Sequence, residues 1–83
     1  MYTVICTKSR DNADELETQA FDYTLKKDAI ALFKERVQKL VDEVLNNEFL
    51  NVKMSLHKYK ALVVIEGTHY VVSIVEDGGV MHG

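Results

Sequence analysis

The stretch that decides the fold is Ala29–Leu45, which reads AIALFKERVQKLVDEVL. Its large apolar residues recur at intervals of 3, 4, 3 and 4. At about 100° per residue, this spacing places them on one face of a single helix. The pattern is too short for the roughly three to four heptads of a coiled coil, so it indicates a helix that packs on something else. The residues are Ile30, Phe33, Val37, Leu40 and Val44, flanked by Ala29, Val41 and Leu45.

Two segments before the helix have the composition of β-strands. Residues 2–7 (YTVICT) are rich in β-branched and aromatic side chains, with Tyr2, Val4 and Cys6 on the more apolar face. Residues 15–24 alternate, and Phe21 and Tyr23 are predicted to point at the core. The polar residues 9–14 between the two segments predict a turn, and therefore a hairpin.

Three further segments after the helix predict strands. Residues 50–57 alternate, which predicts a half-buried face made of Leu50, Val52, Met54 and Leu56. The apolar runs 61–65 and 70–75 are separated by 66–69, a predicted hairpin loop in which Gly67 supplies a positive φ. Residues 57–60 leave two alternatives open, a turn or one continuous strand with a bulge. Residues 78–83 have no period and are expected to be a frayed tail.

Polar residues at both ends of the helix predict its boundaries. Thr24 offers a hydroxyl that could accept a hydrogen bond from an unpaired N–H of the first turn. Asn46 and Asn47 are expected to stop the helix, because Asn tolerates the left-handed conformation that ends many helices.

The predicted fold is therefore one α+β domain over residues 1–83, with element order β-β-α-β-β-β. Its core is a mostly antiparallel sheet of four to five strands, with one helix packed on one face. A single helix covers only one face of a sheet. The other face is expected to meet solvent, a partner or a second copy of the chain.

Charge and composition narrow the classes of function. The 83 residues carry 10 basic and 13 acidic side chains, a net charge of −3, which disfavours a DNA-binding protein with a concentrated basic surface. Cys6 is the only cysteine, so an intramolecular disulfide is excluded, and it is expected to be buried and unreactive. There is neither a signal-peptide pattern nor an apolar run long enough for a membrane span. The expected location is the cytoplasm, without membrane association.

Five carboxylates cluster within residues 11–22, with no basic residue among them. They could form an acidic patch that imitates nucleic acid and occupies a basic groove on a partner, or simply a solvated hairpin tip. A calcium loop is disfavoured, because the spacing does not follow the EF-hand pattern. The residues are Asp11, Asp14, Glu15, Glu17 and Asp22.

The helix also carries five basic residues, which are spread around its circumference and read mainly as a solvated face. Leu32 is the apolar residue on that polar side, and it would make a small anchor for a partner if Tyr59 lay beside it. Direct contact of the lysines with nucleic acid is a weaker hypothesis. The basic residues are Lys26, Lys27, Lys34, Arg36 and Lys39.

No pattern for catalysis, metal binding or cofactor binding stands out. The histidines His57, His69 and His82 lack the short spacing of metal ligands and are expected at the surface. Ser55 and Ser73 have no nucleophile signature around them. We therefore expect neither enzymatic activity nor a cofactor.

These observations favour a non-catalytic interaction module that acts through protein–protein contacts and forms a homodimer. The alternative is an acidic inhibitor, of the kind that mobile elements such as phages encode, that blocks a nucleic-acid-handling enzyme through the carboxylates of residues 11–22. A weak nucleic-acid binder that uses the helix lysines and Tyr59 is the third hypothesis.

Overall fold

A computed structural model describes residues 1–10, 16–76 and 79–80, the last two by their backbone alone. One helix and six strands follow one another in the order expected for an α+β protein. They are β1 (Tyr2–Arg10), β2 (Leu16–Tyr23), α1 (Lys26–Asn46), β3 (Val52–Leu56), β4 (Lys60–Ile65), β5 (Thr68–Glu76) and the two-residue β6 (Gly79–Val80).

The strands form one antiparallel sheet in the order β2-β1-β5-β4-β3, with β6 pairing on the end of β5. The predicted fold class and element order are confirmed. Residues 57–59 form a short turn between β3 and β4, closed by a hydrogen bond of 2.9 Å from the His57 amide to the Lys60 carbonyl, so these are two strands. Of the predicted tail, Gly79 and Val80 pair with β5, whereas residues 78 and 81–83 lie outside the described residues.

The strand register divides the sheet into a covered face, under the helix, and a helix-free face. Val4 lies opposite both Phe21 and Ile74, and Val72 lies opposite Ala61, so these side chains share the covered face. They meet helix residues that include Ala29 and Phe33. The buried core cluster contains Val4, Ala29, Phe33, Tyr59, Ala61, Val72 and Ile74, and Tyr2, Cys6, Tyr23, Ile30, Leu32, Val37 and Leu40 pack against it.

The turn between β4 and β5 consists of Glu66 and Gly67, both with positive φ (48° and 81°). Positive φ at both central residues is the geometry of tight hairpin turns that match the twist of the strands. The Glu66 carboxylate accepts hydrogen bonds from the amides of Leu50 and Asn51, at 2.5 Å and 3.2 Å. The Glu66 amide donates to the Asn51 carbonyl at 2.9 Å. These bonds tie the turn to the α1–β3 connection and offset the cost of a left-handed glutamate.

The predicted N-cap is wrong, and the predicted end of the helix is right in position but not in backbone conformation. The N-cap residue is Leu25 and makes no side-chain capping bond, so Thr24 does not cap the helix. The helix does end at Asn46, but Asn47 has extended backbone (φ −132°) instead of the left-handed conformation. Its side chain donates to the Glu43 carbonyl at 2.8 Å, and so satisfies one of the unpaired carbonyls of the last turn.

Three of the four residues predicted to share one face of the third strand do so, but this strand is less buried than predicted and Leu50 lies outside it. Leu50 precedes β3 and is 93% exposed, while Met54 and Leu56 are about half exposed. The register places Met54 and Leu56 on the covered face, opposite Val63 and Ala61. However, the helix packs over β1, β2, β4 and β5, and β3 is the edge strand beyond them. The helix residue Leu45, expected in the apolar band, is also exposed (73%).

Candidate functional site

The helix-free face carries an apolar strip across the three central strands. Its five large aliphatic side chains are all half-buried, although the one helix in the described part of the chain packs on the other face. The register makes Val71 the centre of this strip, since it lies opposite Leu62 on one side and Thr7 on the other. The strip consists of Ile5 on β1, Leu62 and Val64 on β4, and Val71 and Val75 on β5.

Opposite charges flank this strip at one end of the sheet. Asp22, on β2, accepts a hydrogen bond of 2.6 Å from the Thr3 hydroxyl, and Thr3 lies opposite Val75. Lys60, on β4, lies opposite Ser73, two residues from Val75 along β5. The carboxylate and the ammonium group are therefore on the same face, at the same end, and on opposite sides of β5.

A groove of about 270 Å³ opens on the covered face, between the C-terminal half of the helix and the sheet. The buried residues Ala29 and Phe33 hold the first turns of the helix against the sheet. The next residue in that row is Arg36, and the groove lies between it and the strand residues Cys6 and Val72. The sheet contributes Cys6, Lys8, Glu17, Gln19, Tyr70 and Val72, and the helix contributes Arg36, Lys39, Leu40 and Glu43.

Arg36 contacts an aromatic ring in this groove, and one of its nitrogens lacks a hydrogen-bond partner in the described part of the chain. Its guanidinium carbon lies 5.3 Å from the centre of the Phe21 ring, within the range of a cation–π contact. Its Nε is buried and has no hydrogen-bond acceptor among the described residues. A buried donor without a partner is costly, so this nitrogen lowers the stability of the folded chain.

Cys6 lines the groove and is half-buried, not fully buried as the sequence suggested. Burial raises the pKa of the thiol above its ordinary value of 9.0, and the nearby charge of Arg36 acts in the opposite direction. The thiol is therefore protonated at neutral pH and supplies no negative charge to Arg36.

The predicted acidic cluster does not form one surface in the part of the chain that can be described. Glu17 lies opposite Lys8 and faces the groove, whereas Asp22 lies opposite Thr3 on the helix-free face. Asp11, Asp14 and Glu15 lie outside the described residues.

Leu32 and Tyr59 are brought together, but inside the molecule. Leu32 is half-buried and packs against the core cluster that contains Tyr59, so its assignment to the polar side of the helix was wrong. Tyr59 is only 8% exposed. Lys26 and Lys58 lie 5.4 Å and 5.2 Å from the centre of its ring. A hydrogen bond from Lys26 lowers the pKa of the Tyr59 phenol, with burial acting in the opposite direction.

Ser55 and His57 form a surface pair on β3 and its following turn, with Oγ and Nε2 3.0 Å apart. Both residues are exposed, and no carboxylate orients the imidazole within the described ranges. Over the same ranges, no group of three or more His, Cys, Asp and Glu side chains could hold a metal ion. Likewise, no helix there combines the length and apolar character needed to cross a membrane.

Arg36 and its groove were missed by the sequence argument, which counted Arg36 among solvated helix residues. A signal was present, because Arg36 follows Ala29 by seven residues and Phe33 by three. Those intervals put it in the row of side chains that faces the sheet. What could not be read was that Cys6 and Phe21, from two strands, would meet it there.

Comparison with protein-family models, with curated proteins and with solved structures finds no match to this chain.

Proposed function

We propose that this protein is an interaction module that works as a homodimer joined through the helix-free face of its sheet. The observation that carries the proposal is the apolar strip centred on Val71. Its five aliphatic side chains lie across adjacent strands, and no helix of the described residues packs above them. Removing such side chains from water contributes about 25 cal/mol per Å² of apolar area. A second copy of the same face supplies a matching apolar surface.

The size of the face suits a weak, specific dimer. Five strands about 4.8 Å apart and about 20 Å long give roughly 480 Å² of flat area per copy. Specific interfaces start at about 1,200 Å² of accessible surface summed over both partners. Two such faces sum to about 960 Å², which is below that size, so we expect a weak dimer that dissociates in the micromolar range.

The charges beside the strip favour one orientation. If the two-fold axis runs parallel to β5, the β2 side of one copy faces the β3–β4 side of the other. Asp22 of one copy then lies across from the Lys60 end of its partner, and the reverse pair forms by symmetry. An axis perpendicular to the strands would instead place the two β2 strands over each other, without that complementarity.

The test is the molar mass measured by light scattering coupled to size exclusion, from about 10 to 200 µM protein, where a weak dimer would dissociate on dilution. We expect a concentration-dependent rise towards twice the 9.5 kDa monomer. Val71→Asp should keep the protein monomeric over this range, because a buried unpaired carboxylate is costly.

Ala31→Asp is the control, since it introduces the same carboxylate at an exposed helix position. It should leave the dimer intact. A clean monomer at every concentration, or equal effects of the two variants, would contradict the proposal. A heterologous protein captured only by the wild-type face would show that the occupant is another protein and not a second copy.

A further inference from the structure

We propose that the groove between the helix and the sheet is a binding site for a small monocarboxylate with an apolar tail, and that Arg36 receives the carboxylate. The site lies on the opposite side of the sheet from the dimer face and does not depend on it. Its distinguishing feature is Arg36, a half-buried cation that has no carboxylate partner among the described residues and whose Nε is itself buried. The two terminal nitrogens of a guanidinium group form a planar fork that binds a carboxylate with two parallel hydrogen bonds.

Arg36 has no carboxylate partner among the described residues that surround the groove. The lining holds three cations, Lys8, Arg36 and Lys39, and two carboxylates, Glu17 and Glu43. Lys8 lies opposite Glu17 in the strand register, and Lys39 is paired with a third carboxylate, the exposed Glu35, at 3.6 Å. The protonated Cys6 thiol adds no negative charge. The net charge around the groove is therefore close to zero, and the attraction for a carboxylate comes from Arg36 itself.

The remaining lining suits an apolar tail. Leu40, Tyr70 and Val72 provide aliphatic and aromatic surface next to Cys6. Small-molecule sites combine apolar walls with a few polar groups that fix orientation. At roughly 30 Å³ per water-sized group, a volume of about 270 Å³ holds about nine or ten non-hydrogen atoms. Octanoate matches that size.

The contact with Phe21 orients the Arg36 guanidinium before a ligand binds. The ring lies 5.3 Å from the guanidinium carbon, and it restricts the motion of the Arg36 side chain before any ligand arrives. A group that is already oriented loses less conformational entropy on binding. This contact distinguishes Arg36 from Lys34, which is exposed on the same helix.

Cys6 is the only cysteine and lines the groove, so its alkylation reports occupancy directly. We would measure the rate of Cys6 modification by iodoacetamide, by mass spectrometry, with octanoate, octylamine or 1-octanol present. Octanoate at about ten times its dissociation constant should slow alkylation about tenfold. Octylamine should not protect, because it brings a second cation to Arg36.

Arg36→Met should weaken octanoate protection about tenfold or more, because it removes charge-assisted hydrogen bonds. Arg36→Lys keeps the charge but lacks the planar fork, so octanoate protection in this variant should lie between that of the wild-type protein and that of Arg36→Met. It serves as the second variant if Arg36→Met does not fold. Lys34→Met makes the same chemical change at an exposed position and should retain full protection. Each variant is compared with and without ligand, since Arg36 also affects the thiol itself.

Three outcomes would overturn the proposal. The first is equal protection by octanoate and octylamine, which would indicate an apolar site with no role for charge. The second is full octanoate affinity in both Arg36 variants. The third is no protection by octanoate in the wild-type protein.

Discussion

The two faces of the sheet are formed by the same strands but differ in how deeply their side chains are buried. On β5, Val72 and Ile74 point towards the helix and are almost fully buried, at 3% and 1% exposure. Their neighbours Val71 and Val75 point the other way and stay half-buried. Period-2 alternation thus places apolar residues on both faces, but the chain contains helical cover for only one. Burial in the described part of this fold is therefore set by the position of one helix.

The covered face is itself divided. Over its first turns the helix is packed tightly through Ala29 and Phe33. Beyond Arg36 the groove opens, and the last apolar residue, Leu45, is exposed. The fully buried helix residues therefore lie in its first half, whereas a groove opens beside its second half. The predictions below test this division, from the largest expected effect to the smallest.

The sharpest test replaces one isoleucine on each face. Ile74→Ala removes a fully buried side chain and should lower the free energy of unfolding by about 3 kcal/mol, because a cavity is left in the core. Ile5→Ala, on the neighbouring strand and the helix-free face, should cost about 1 kcal/mol in the monomer. Urea denaturation at about 1 µM protein, where mass action disfavours a weak dimer, measures both. Equal losses would show that the two faces are not energetically distinct.

The division along the helix is tested by two leucines. Leu40→Ala, at a half-buried position packed against the core, should cost about 1.5 kcal/mol. Leu45→Ala, at a position that is 73% exposed, should change stability by less than about 0.5 kcal/mol. Thermal and urea unfolding provide the comparison. A larger loss at Leu45 than at Leu40 would contradict the assignment of the exposed helix end.

The orientation of the dimer is tested by exchanging charges on the helix-free face. Asp22→Lys and Lys60→Asp should each weaken dimerisation by about 0.5–1 kcal/mol, because each places like charges across the interface. The double variant should recover most of the wild-type affinity. Light scattering at several concentrations gives the dissociation constants. If the two effects simply add, the pair does not face each other across the two-fold axis.

The smallest expected effect concerns pH on the covered face. Burial raises the pKa of the Cys6 thiol above 9.0 in the folded protein. At pH values between the pKa of the unfolded chain and that of the folded chain, the folded state therefore keeps a proton that the unfolded state has lost. Stability should therefore be fully retained below about pH 9 and fall slightly as pH rises through the folded pKa. Cys6→Ala should lack this component of the decline, measured by urea denaturation from about pH 8 to 10.5. An identical pH dependence in both proteins would show that Cys6 is not the source.

Local pattern was enough for most of the architecture. The helix, the β1–β2 hairpin and the C-terminal strands all follow from periodicity, and the positive φ of Gly67 follows from turn chemistry. The helix caps were predicted less well, because Thr24 and Asn47 are compatible with motifs that the backbone does not adopt. Capping depends on the path of the chain into and out of the helix, which is set by packing on the sheet.

The candidate binding surfaces were harder to predict than the fold. The sequence indicated that one sheet face would lack cover, yet it did not distinguish Leu32, which packs inwards, from an exposed anchor. Nor did it show that Tyr59 would be held between Lys26 and Lys58. These positions depend on which strands lie under which turns of the helix, and that is a property of long-range register.

By itself, the sequence determined that this chain builds one helix and a set of strands with apolar residues on both faces, because side-chain periodicity is a local property of the backbone. The tertiary structure alone decided that β5 is central, that β3 lies beyond the helix and that Arg36 meets Phe21 beside Cys6. The reason is physical. Strand order and helix placement bring together residues that are distant in sequence, and no local interaction encodes which of them will meet.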